Sequence, residues 1–373
     1  MIRVLQVIGS LNVGGSQAMV MNLFRNIDRS KIMFDFIVDH PERMYYEKEA
    51  CSMGAKIYTM PSFHGTNILR VKEEWARFFT EHPEYQILHS HVRSYASIYL
   101  PIAKKHGVKT IIHSHSTSNG NGISAIAKHI LQLPLRKQAD YLMACSNEAG
   151  RWLYGEKACK RDNYIFLPNA IDTEKYRFSV ATSDRYRRQL GLDGKFVLGH
   201  VGRFHEAKNH EFLLNVFARI ANRRSDAMLL VVGDGELRGT IEQRIKELEI
   251  ENRVVLTGNR NDVPQLLQAM DLFLFPSIWE GLPVTVVEAQ AAGLPCLISD
   301  RITTDVDLSA LVRRLPIDSP SLWADTVLNS VCKRLDVVSE IRQAGFDVKD
   351  TAKQLTDLYM SLGENNVKIH NEA

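Results

Sequence analysis

The stretch LFLFPSIWEGLPVTVVEAQAAGLPCLISD, residues 272–300, places a segment with helical periodicity between two short apolar runs. LFLFPS is typical of a buried strand, and CLISD predicts a second strand. The intervening VTVVEAQAAG predicts a helix that starts at Pro283, whose missing N–H costs nothing in a first turn, and that ends at Gly293. A strand, a helix and another strand in this order are the repeating unit of parallel sheets.

The same alternation of apolar runs and amphipathic stretches extends along the chain in both directions. It pauses over residues 168–195 and then resumes. We therefore predict an α/β protein with two Rossmann-like domains, each a doubly wound parallel sheet, that face each other across a cleft. The expected domains cover residues 1–170 and 171–350, with a hinge near residue 170. For the remaining residues, 351–373, we predict a helix with a frayed tail, and this whole segment can cross back to the first domain.

The composition excludes several classes of protein. The chain has 373 residues, a formal net charge of +3 and five cysteines. The small net charge argues against a nucleic-acid partner, and cysteines without paired spacing favour a reducing, cytoplasmic location. We expect no signal peptide and no membrane-spanning segment, because no run of about 18 apolar residues is present.

Two carboxylates flank the predicted helix start. Glu288 falls on the apolar face with Val284 and Val287, where an unpaired carboxylate is costly. The N–H groups of Leu282 and Val284 should be free to bind phosphate at the helix start. A ligand with phosphates and adjacent hydroxyls would satisfy both features, with Glu280 reaching a second hydroxylated ring. The alternative is an internal Glu288–Arg pair and a Glu280 on the surface.

The run E-G-L-P-V-T-V-V-E, from Glu280 to Glu288, resembles the E-x7-E motif of retaining GT-B glycosyltransferases of family four. The flanking F-P-S and E-A-x-A-x-G-x-P match the family pattern, and the likeness covers nearly the whole chain. It extends to members that assemble capsular polysaccharide and exopolysaccharide. The resemblance implies that Glu280 contacts hydroxyls of the donor sugar and that Glu288 holds the nucleotide ribose. It also implies donor contacts at the residues between them: Gly281, Leu282, Pro283 and Val284.

A second charged group follows the first predicted strand of the second domain, in V-G-R-F-H-E-A-K, residues 201–208. Two cations on a strand-to-helix loop, Arg203 and Lys208, suit a diphosphate leaving group, although solvated surface charges are the alternative. The G-R-F-x-x-x-K spacing resembles the diphosphate-binding segment of the family. The resemblance implies that Gly202 and both cations contact the donor.

Three glycine-rich loops also follow predicted strands. In G-S-L-N-V-G-G-S-Q, residues 9–17, Gly14 and Gly15 precede a helix that we expect Ser16 to cap. The loop lacks the G-x-G-x-x-G fingerprint, which disfavours a nicotinamide dehydrogenase. In the family it lies beside the diphosphate and the acceptor. The resemblance further assigns Gly233 and Arg260, in two later loops, to the nucleotide pocket, although ordinary turns are the alternative.

Two H-S-H tripeptides, residues 89–91 and 113–115, end successive predicted strands. Alternation places both imidazoles of a pair on the same side of the sheet. A zinc site is the weaker alternative, because no third ligand has a recognisable spacing. The resemblance implies that His115 lies near the donor sugar and the reacting centre, and that the other three histidines support it.

Residues 123–140, ISAIAKHILQLPLRKQAD, combine apolar side chains with four basic ones: Lys128, His129, Arg136 and Lys137. A core helix with solvated basic residues is one interpretation. The other is a helix that rests on a membrane surface near a lipid-linked acceptor.

Together these features imply retaining transfer from a nucleotide diphosphate sugar, UDP-linked by expectation, to a saccharide or a lipid-linked saccharide. The expected catalytic residues are His115, Arg203, Lys208 and Glu280. No metal or cofactor is expected, because cations and a helix start would stabilise the leaving diphosphate. We expect a cytoplasmic protein that can contact the inner face of the membrane. A UDP-sugar 2-epimerase of the same fold and a non-catalytic nucleotide-sugar-binding subunit are the alternatives.

Overall fold

The computed structural model describes residues 1–12, 14–41, 44–118, 120 and 122–371, without the side chains of residues 123 and 364–371. The chain divides into two compact units. The first comprises Met1–Ala170 together with the residues from Val348 onward, and the second comprises Ile171–Asp347. Each unit contains one parallel sheet covered by helices, which confirms the predicted fold class.

The first unit is built on a sheet with the strand order β3-β2-β1-β4-β5-β6-β7, in which every neighbouring pair is parallel. Its strands are β1 Ile2–Val7, β2 Ile32–Val38, β3 Ile57–Thr59, β4 Ile87–Ser90, β5 Lys109–Ser114, β6 Tyr141–Ala144 and β7 Tyr164–Phe166. Its first seven helices are α1 Gly15–Asn26, α2 Glu47–Ser52, α3 Ile68–Glu81, α4 Ala96–Lys105, α5 Ile123–Gln132, α6 Leu135–Gln138 and α7 Asn147–Tyr154. Successive residues of β1 enter opposite cores, Val4 that of α1 and Leu5 that of α3 and α4.

The second unit has the sheet order β10-β9-β8-β11-β12-β13, again with parallel pairs. Its strands are β8 Phe196–Val201, β9 Ala227–Val232, β10 Val254–Leu256, β11 Leu272–Phe275, β12 Cys296–Ser299 and β13 Val312–Leu315. Its helices are α8 Thr173–Tyr176, α9 Val180–Leu190, α10 His210–Ala221, α11 Arg238–Glu247, α12 Val263–Gln268, α13 Val284–Ala291, α14 Pro320–Leu328 and α15 Val338–Gln343. Short 3-10 turns cover Ala158–Lys160, Glu206–Lys208, Glu251–Arg253 and Thr304–Val306.

The last helix, α16 Val348–Asn371, belongs to the first unit and packs beside α1. Its apolar face enters the core on one side of the sheet, where Leu355 and Tyr359 are fully buried. The predicted amphipathic helix is therefore confirmed. The helix extends to Asn371 and so includes most of the residues expected to form a frayed tail.

Other predictions failed in segments whose pattern of apolar residues is weak. The edge strands β3 and β13 were not predicted, because they have only three and four residues and little apolar character. The alternation of strands and helices was predicted to stop over residues 168–195, but this segment contains α8 and α9. The second of these helices, α9, is polar over most of its surface and so gave no hydrophobic pattern. The core interpretation of residues 123–140 is wrong for α5, because Gln132 is its only buried side chain among those described. In the described part of the chain, no helix is both long and apolar enough to cross a bilayer.

We expect α16 to contribute directly to the stability of the first unit. Leu355 is 1% exposed, so Leu355→Ala should lower the free energy of unfolding by about 2–5 kcal/mol through the cavity it leaves. Ser361→Ala on the exposed face of the same helix should change it by less than about 0.5 kcal/mol. Urea unfolding of the full chain measures both values, and equal effects of the two variants would contradict the assignment.

Candidate active site

Most of the predicted donor residues of the second unit lie in the loops that leave β8 and β11. These strands are neighbours, and the strand order reverses between them, since β9 lies beyond β8 and β12 lies beyond β11. At such a reversal the two outgoing loops diverge and leave a crevice at the carboxyl edge of the sheet, where parallel α/β proteins bind ligands. Residues 202–209 and 276–283 therefore start from the same edge.

Lys208 and Glu280 form an ion pair at this edge. Lys208 Nζ donates to Glu280 Oε1 over 2.7 Å, and the two side chains are only 16% and 13% exposed. The ammonium group also lies 4.7 Å from the centre of the Phe275 ring. A Cβ at position 202 would stand 3.2 Å from Lys208 Cδ and Cε, so Gly202 leaves room for the lysine stem. The structure thus brings three predicted residues into contact.

Arg203 is exposed, and it pairs with Glu236 over 3.0 Å. A pocket of about 630 Å³ joins Arg203 to three other predicted residues, Gly202, Gly233 and Arg260. Gly233 has a φ of 141°, and a Cβ there would stand 2.0 Å from the Gly202 carbonyl oxygen, so the two loops can meet only at a glycine. Glu236 is a neighbour of the predicted diphosphate site that the sequence analysis missed.

Arg260 is held in place by Asp262. Its Nε and Nη2 donate to the two carboxylate oxygens over 2.8 and 2.7 Å, and the Tyr186 hydroxyl donates to the same group over 2.9 Å. These hydrogen bonds, led by those from Arg260, lower the pKa of Asp262 to about 2. The pair fixes the guanidinium at the rim of the pocket.

Glu288 has a tyrosine as its partner. Tyr176 in α8 donates its hydroxyl to Glu288 Oε1 over 2.6 Å, and in the described structure no arginine or lysine pairs with this carboxylate. Burial raises the pKa of Glu288, and the hydrogen bond from Tyr176 lowers it by less. The internal arginine considered as an alternative is therefore wrong for the described residues. Tyr176 lies 112 positions away in the sequence and carried no local signal.

The start of α13 differs from the prediction by one residue. Pro283 is the N-cap and Val284 the first helical residue. The Val284 N–H donates to the Leu282 carbonyl over 2.9 Å, so the expectation that it is free to bind phosphate is wrong in this structure. Gly293 follows the helix with a φ of 72°, as predicted. Donor contacts at Gly281 to Val284 remain a prediction.

In the first unit, α1 begins at Gly15 with Gly14 as its N-cap, so the prediction that Ser16 caps it is wrong. The Ser16 hydroxyl instead donates to Gln17 Oε1 over 3.0 Å. A Cβ at Gly14 would stand 2.4 Å from the same oxygen. Contact of this loop with a ligand remains a prediction.

The two H-S-H tripeptides form one stack of imidazoles, which we call the histidine cluster: His89, His91, His113 and His115. They lie on the paired strands β4 and β5 and in the residues after them, with ring centres 4.5 Å apart in the first tripeptide and 4.1 Å apart in the second. Burial lowers the pKa of all four, and that of His115 falls to about 3 with a further contribution from the charge of Arg93. The cluster is therefore neutral at physiological pH.

Three members of the histidine cluster, His89, His91 and His113, each place a nitrogen within 4.8 Å of the others. An ion there would compete with existing hydrogen bonds, because both nitrogens of His91 are engaged. They lie 2.8 Å from His115 Nε2 and 2.9 Å from Gln6 Oε1. The expectation that no metal binds remains a prediction.

A second pocket, of about 340 Å³, lies in the first unit beside His91 and is lined by Arg93 and Lys128. The Arg93 guanidinium donates to the Ser116 carbonyl over 2.7 Å and stacks 4.6 Å from the centre of the Trp152 ring. Burial lowers the pKa of Arg93, and no carboxylate among the described residues offsets that burial. Asp39 also lines the pocket, but the two basic side chains outnumber this one carboxylate and leave a positive charge that can attract an anion.

The whole chain is similar to known glycosyltransferases. Residues 13–175 match the family described as Glycosyltransferase Family 4, and residues 182–306 match Glycosyl transferases group 1. The chain is 35% identical over 370 residues to EpsF of Bacillus subtilis (strain 168), which is described as a glycosyltransferase, and the match covers 96% of each protein. It is also 27% identical over 307 residues to the UDP-Gal:alpha-D-GlcNAc-diphosphoundecaprenol alpha-1,3-galactosyltransferase of Escherichia coli, covering 76% of this chain and 77% of that protein.

Solved structures share the fold. HepE of Anabaena, crystallised with UDP and glucose, superposes with a TM-score of 0.75 at 18% identity and covers 97% of this chain and 100% of that one. A glycosyltransferase from Rickettsia africae ESF-5 gives a TM-score of 0.80 at 15% identity, with 98% and 99% coverage. These likenesses establish the GT-B fold.

We expect Glu288 to destabilise the free protein at neutral pH. A carboxyl whose pKa is raised by folding favours the protonated state, so its cost appears as the pH rises through the unfolded value of about 4.3 toward the folded one. Glu288→Gln should therefore raise the free energy of unfolding at pH 8 by roughly 0.5–2 kcal/mol, with the gain vanishing near pH 4. The control is Glu251→Gln at an exposed position of the same unit. Urea unfolding at both pH values measures the effect, and a gain that persisted at pH 4 would contradict it.

Proposed function

The chain belongs to glycosyltransferase family 4, and on that premise we propose that it transfers a sugar from a UDP-sugar, with retention, to a saccharide carried on a lipid diphosphate. It is a glycosyltransferase with the GT-B fold, as the E-x7-E motif predicted. The proposed product is an exopolysaccharide or a related surface glycan. The galactosyltransferase of Escherichia coli supports both substrates, because its name includes UDP-Gal and a diphosphoundecaprenol acceptor.

The arrangement of charges around Lys208 is the observation that carries the donor assignment. Lys208 and Arg203 leave the end of β8 together, beside the pocket that contains Gly233 and Arg260. A diphosphate there would exchange the carboxylate partners of the two cations for phosphate oxygens, which accept similar hydrogen bonds. Glu280, released from Lys208, would then be free to accept hydrogen bonds from sugar hydroxyls.

The pocket beside Arg93 supports an acceptor with its own phosphate groups. A half-buried guanidinium that pairs with no carboxylate gains from an anion that can enter from solvent, and the one carboxylate of the lining, Asp39, bonds to Tyr95 instead. Lys128 adds a second cation to the lining of the pocket. A diphosphate that links a saccharide to a lipid has the charge that this pair can recognise.

Retention and independence from metals follow from the same proposal. The proposal assigns Glu280 to the hydroxyls of the donor sugar, so it gives this carboxylate no role as a nucleophile. We infer a front-face reaction in which the leaving diphosphate accepts the proton of the acceptor. Lys208 and Arg203 would stabilise the growing charge on that diphosphate, the task that a metal performs in other enzymes.

The donor assignment predicts a strong effect of one substitution. Lys208→Ala should lower transfer from UDP-glucose, UDP-galactose or their N-acetyl forms by about 100-fold, because it removes a group that stabilises the leaving charge. Product formation on a synthetic lipid diphosphate disaccharide measures the rate, and proton NMR of the product gives its anomeric configuration.

Lys246→Ala, at an exposed position of α11, is the matched control and should retain full activity. An inverted anomer would contradict retention. Conversion of the donor without acceptor would instead indicate an epimerase, and donor binding without turnover would indicate a non-catalytic subunit. Equal rates for the two lysine variants would contradict the role of Lys208.

The exposed face of α5 supports a membrane location for the acceptor. Ile126, Ile130 and Leu133 follow each other at helical spacing and are 63%, 59% and 50% exposed. The two basic residues that follow α5 in the sequence, Arg136 and Lys137, are exposed as well. Apolar side chains flanked by cations match the surface of an anionic bilayer. We therefore propose that this face contacts the inner leaflet of the membrane.

This contact can be measured by flotation with lipid vesicles. The protein should bind vesicles that contain phosphatidylglycerol, and the binding should weaken as salt increases. Replacing Ile126, Ile130 and Leu133 by serine should reduce binding at least about tenfold, whereas Leu69→Ser, at an exposed leucine of α3, should not. Equal binding of both variants, or no binding of the natural protein, would contradict the membrane contact.

A further inference from the structure

Five side chains of the first unit form one continuous hydrogen-bond chain. His115 Nε2 lies 2.8 Å from His91 Nδ1, and His91 Nε2 lies 2.9 Å from Gln6 Oε1. The Gln6 amide nitrogen donates to the Tyr359 hydroxyl over 3.3 Å, and this hydroxyl lies 2.6 Å from His89 Nδ1. The chain thus joins the end of β5 to α16 through β1.

One amide sets the direction of every bond in this chain. The Gln6 carbonyl oxygen can only accept, so His91 must carry its proton on Nε2. A neutral His91 then has a bare Nδ1, which must accept a proton from His115 Nε2. The amide nitrogen of Gln6 can only donate, so the Tyr359 oxygen accepts from it. The Tyr359 hydroxyl then donates its proton to a hydrogen bond with His89 Nδ1.

The same bonds determine what His115 offers to a ligand. With its proton on Nε2, neutral His115 has a lone pair on Nδ1. In the described structure this nitrogen is buried and has no partner. The group is therefore a hydrogen-bond acceptor that the protein leaves unused.

We propose that Gln6 and Tyr359 are positioning residues that fix His115 as the Nε2–H tautomer, so that its Nδ1 lone pair stays available to accept a hydrogen bond from a substrate hydroxyl. This inference rests on the proposed function, because sugar transfer is the reaction for which the sequence analysis predicts His115 as a catalytic residue. It explains why two polar side chains are fully buried between β1 and α16, with Gln6 1% and Tyr359 0% exposed. Their role is exerted through His91.

Removal of the Tyr359 hydroxyl should allow the hydrogen bonds among Gln6, His91 and His115 to form in either direction. In Tyr359→Phe the Gln6 amide nitrogen loses its acceptor, so the amide can rotate and present its N–H to His91. His91 and His115 would then populate both tautomers. Gln6→Met removes the amide itself and should have the same consequence. Tyr99→Phe is the matched control, because Tyr99 is equally buried and bonds to Ser90 Oγ and the Val92 carbonyl outside the chain.

Nitrogen-15 NMR of the full-length protein with labelled histidines distinguishes the two tautomers without any substrate. The His115 signals, assigned by their loss in His115→Asn, should show a bare Nδ1 and a protonated Nε2 in the natural protein and in Tyr99→Phe. In Tyr359→Phe and Gln6→Met they should move toward a mixture of both forms. A protonated Nδ1 in the natural protein would overturn the assignment, and so would unchanged His115 signals in both Tyr359→Phe and Gln6→Met.

Kinetics test whether the tautomer matters for transfer. Tyr359→Phe should lower kcat/KM about tenfold, the effect of one hydrogen bond, while UDP binding stays unchanged. Tyr99→Phe should keep the natural kcat/KM. A natural kcat/KM in Tyr359→Phe despite mixed tautomers would overturn the catalytic part of the inference. If the natural protein transfers no sugar to any acceptor, the proposed function fails, and the NMR result still decides the tautomer assignment.

Discussion

Each sheet of this chain reverses its strand order once, between β1 and β4 in the first unit and between β8 and β11 in the second. The reversal constrains where polar groups can gather, because elsewhere along the carboxyl edge a crossover helix covers the end of its own strand. Lys208 and Glu280 come from the loops after β8 and β11, and His91 follows β4 with its N–H bonded to the β1 carbonyl of Val7. The charged and neutral groups therefore lie at equivalent places in two separate sheets.

The charged residues of the second unit are paired before any ligand binds. Lys208 holds Glu280, Arg203 holds Glu236 and Arg260 holds Asp262. Each pair keeps a flexible side chain near one position and limits the cost of ordering it when a ligand binds. Only the Lys208–Glu280 pair is largely shielded from water, so it carries the largest electrostatic penalty for losing a partner. A ligand that supplies both an anion and hydroxyls can satisfy the two members at once.

The sequence was sufficient for the two sheets, apart from their edge strands β3 and β13, and for the positions of the loops, since both follow from local periodicity and from residues placed just after strands. It was insufficient wherever a partner comes from far along the chain. Tyr176 bonds to Glu288 across 112 positions, and Tyr359 bonds to Gln6 across 353. Neither tyrosine stands in a motif, and each lies in an amphipathic or short helix whose pattern predicts packing alone. The role of Gly293 at the end of α13 was predictable, whereas the N-cap residue of α1 depended on backbone angles that the sequence did not specify.

Two of the buried nitrogens that have no hydrogen-bond partner in the described structure belong to histidines near the candidate site. His115 Nδ1 in the first unit and His200 Nε2 in the second are both shielded from water without a hydrogen bond among the described residues. Such a group costs about 1–3 kcal/mol, and a carbon or a bonded polar atom in its place would avoid that cost. His115 ends a chain of directed hydrogen bonds, whereas His200 Nδ1 is satisfied by the Leu274 carbonyl next to the Lys208 loop. At these two positions the cost falls beside residues of the candidate site, where the chemistry of a transferase requires groups held ready for a substrate.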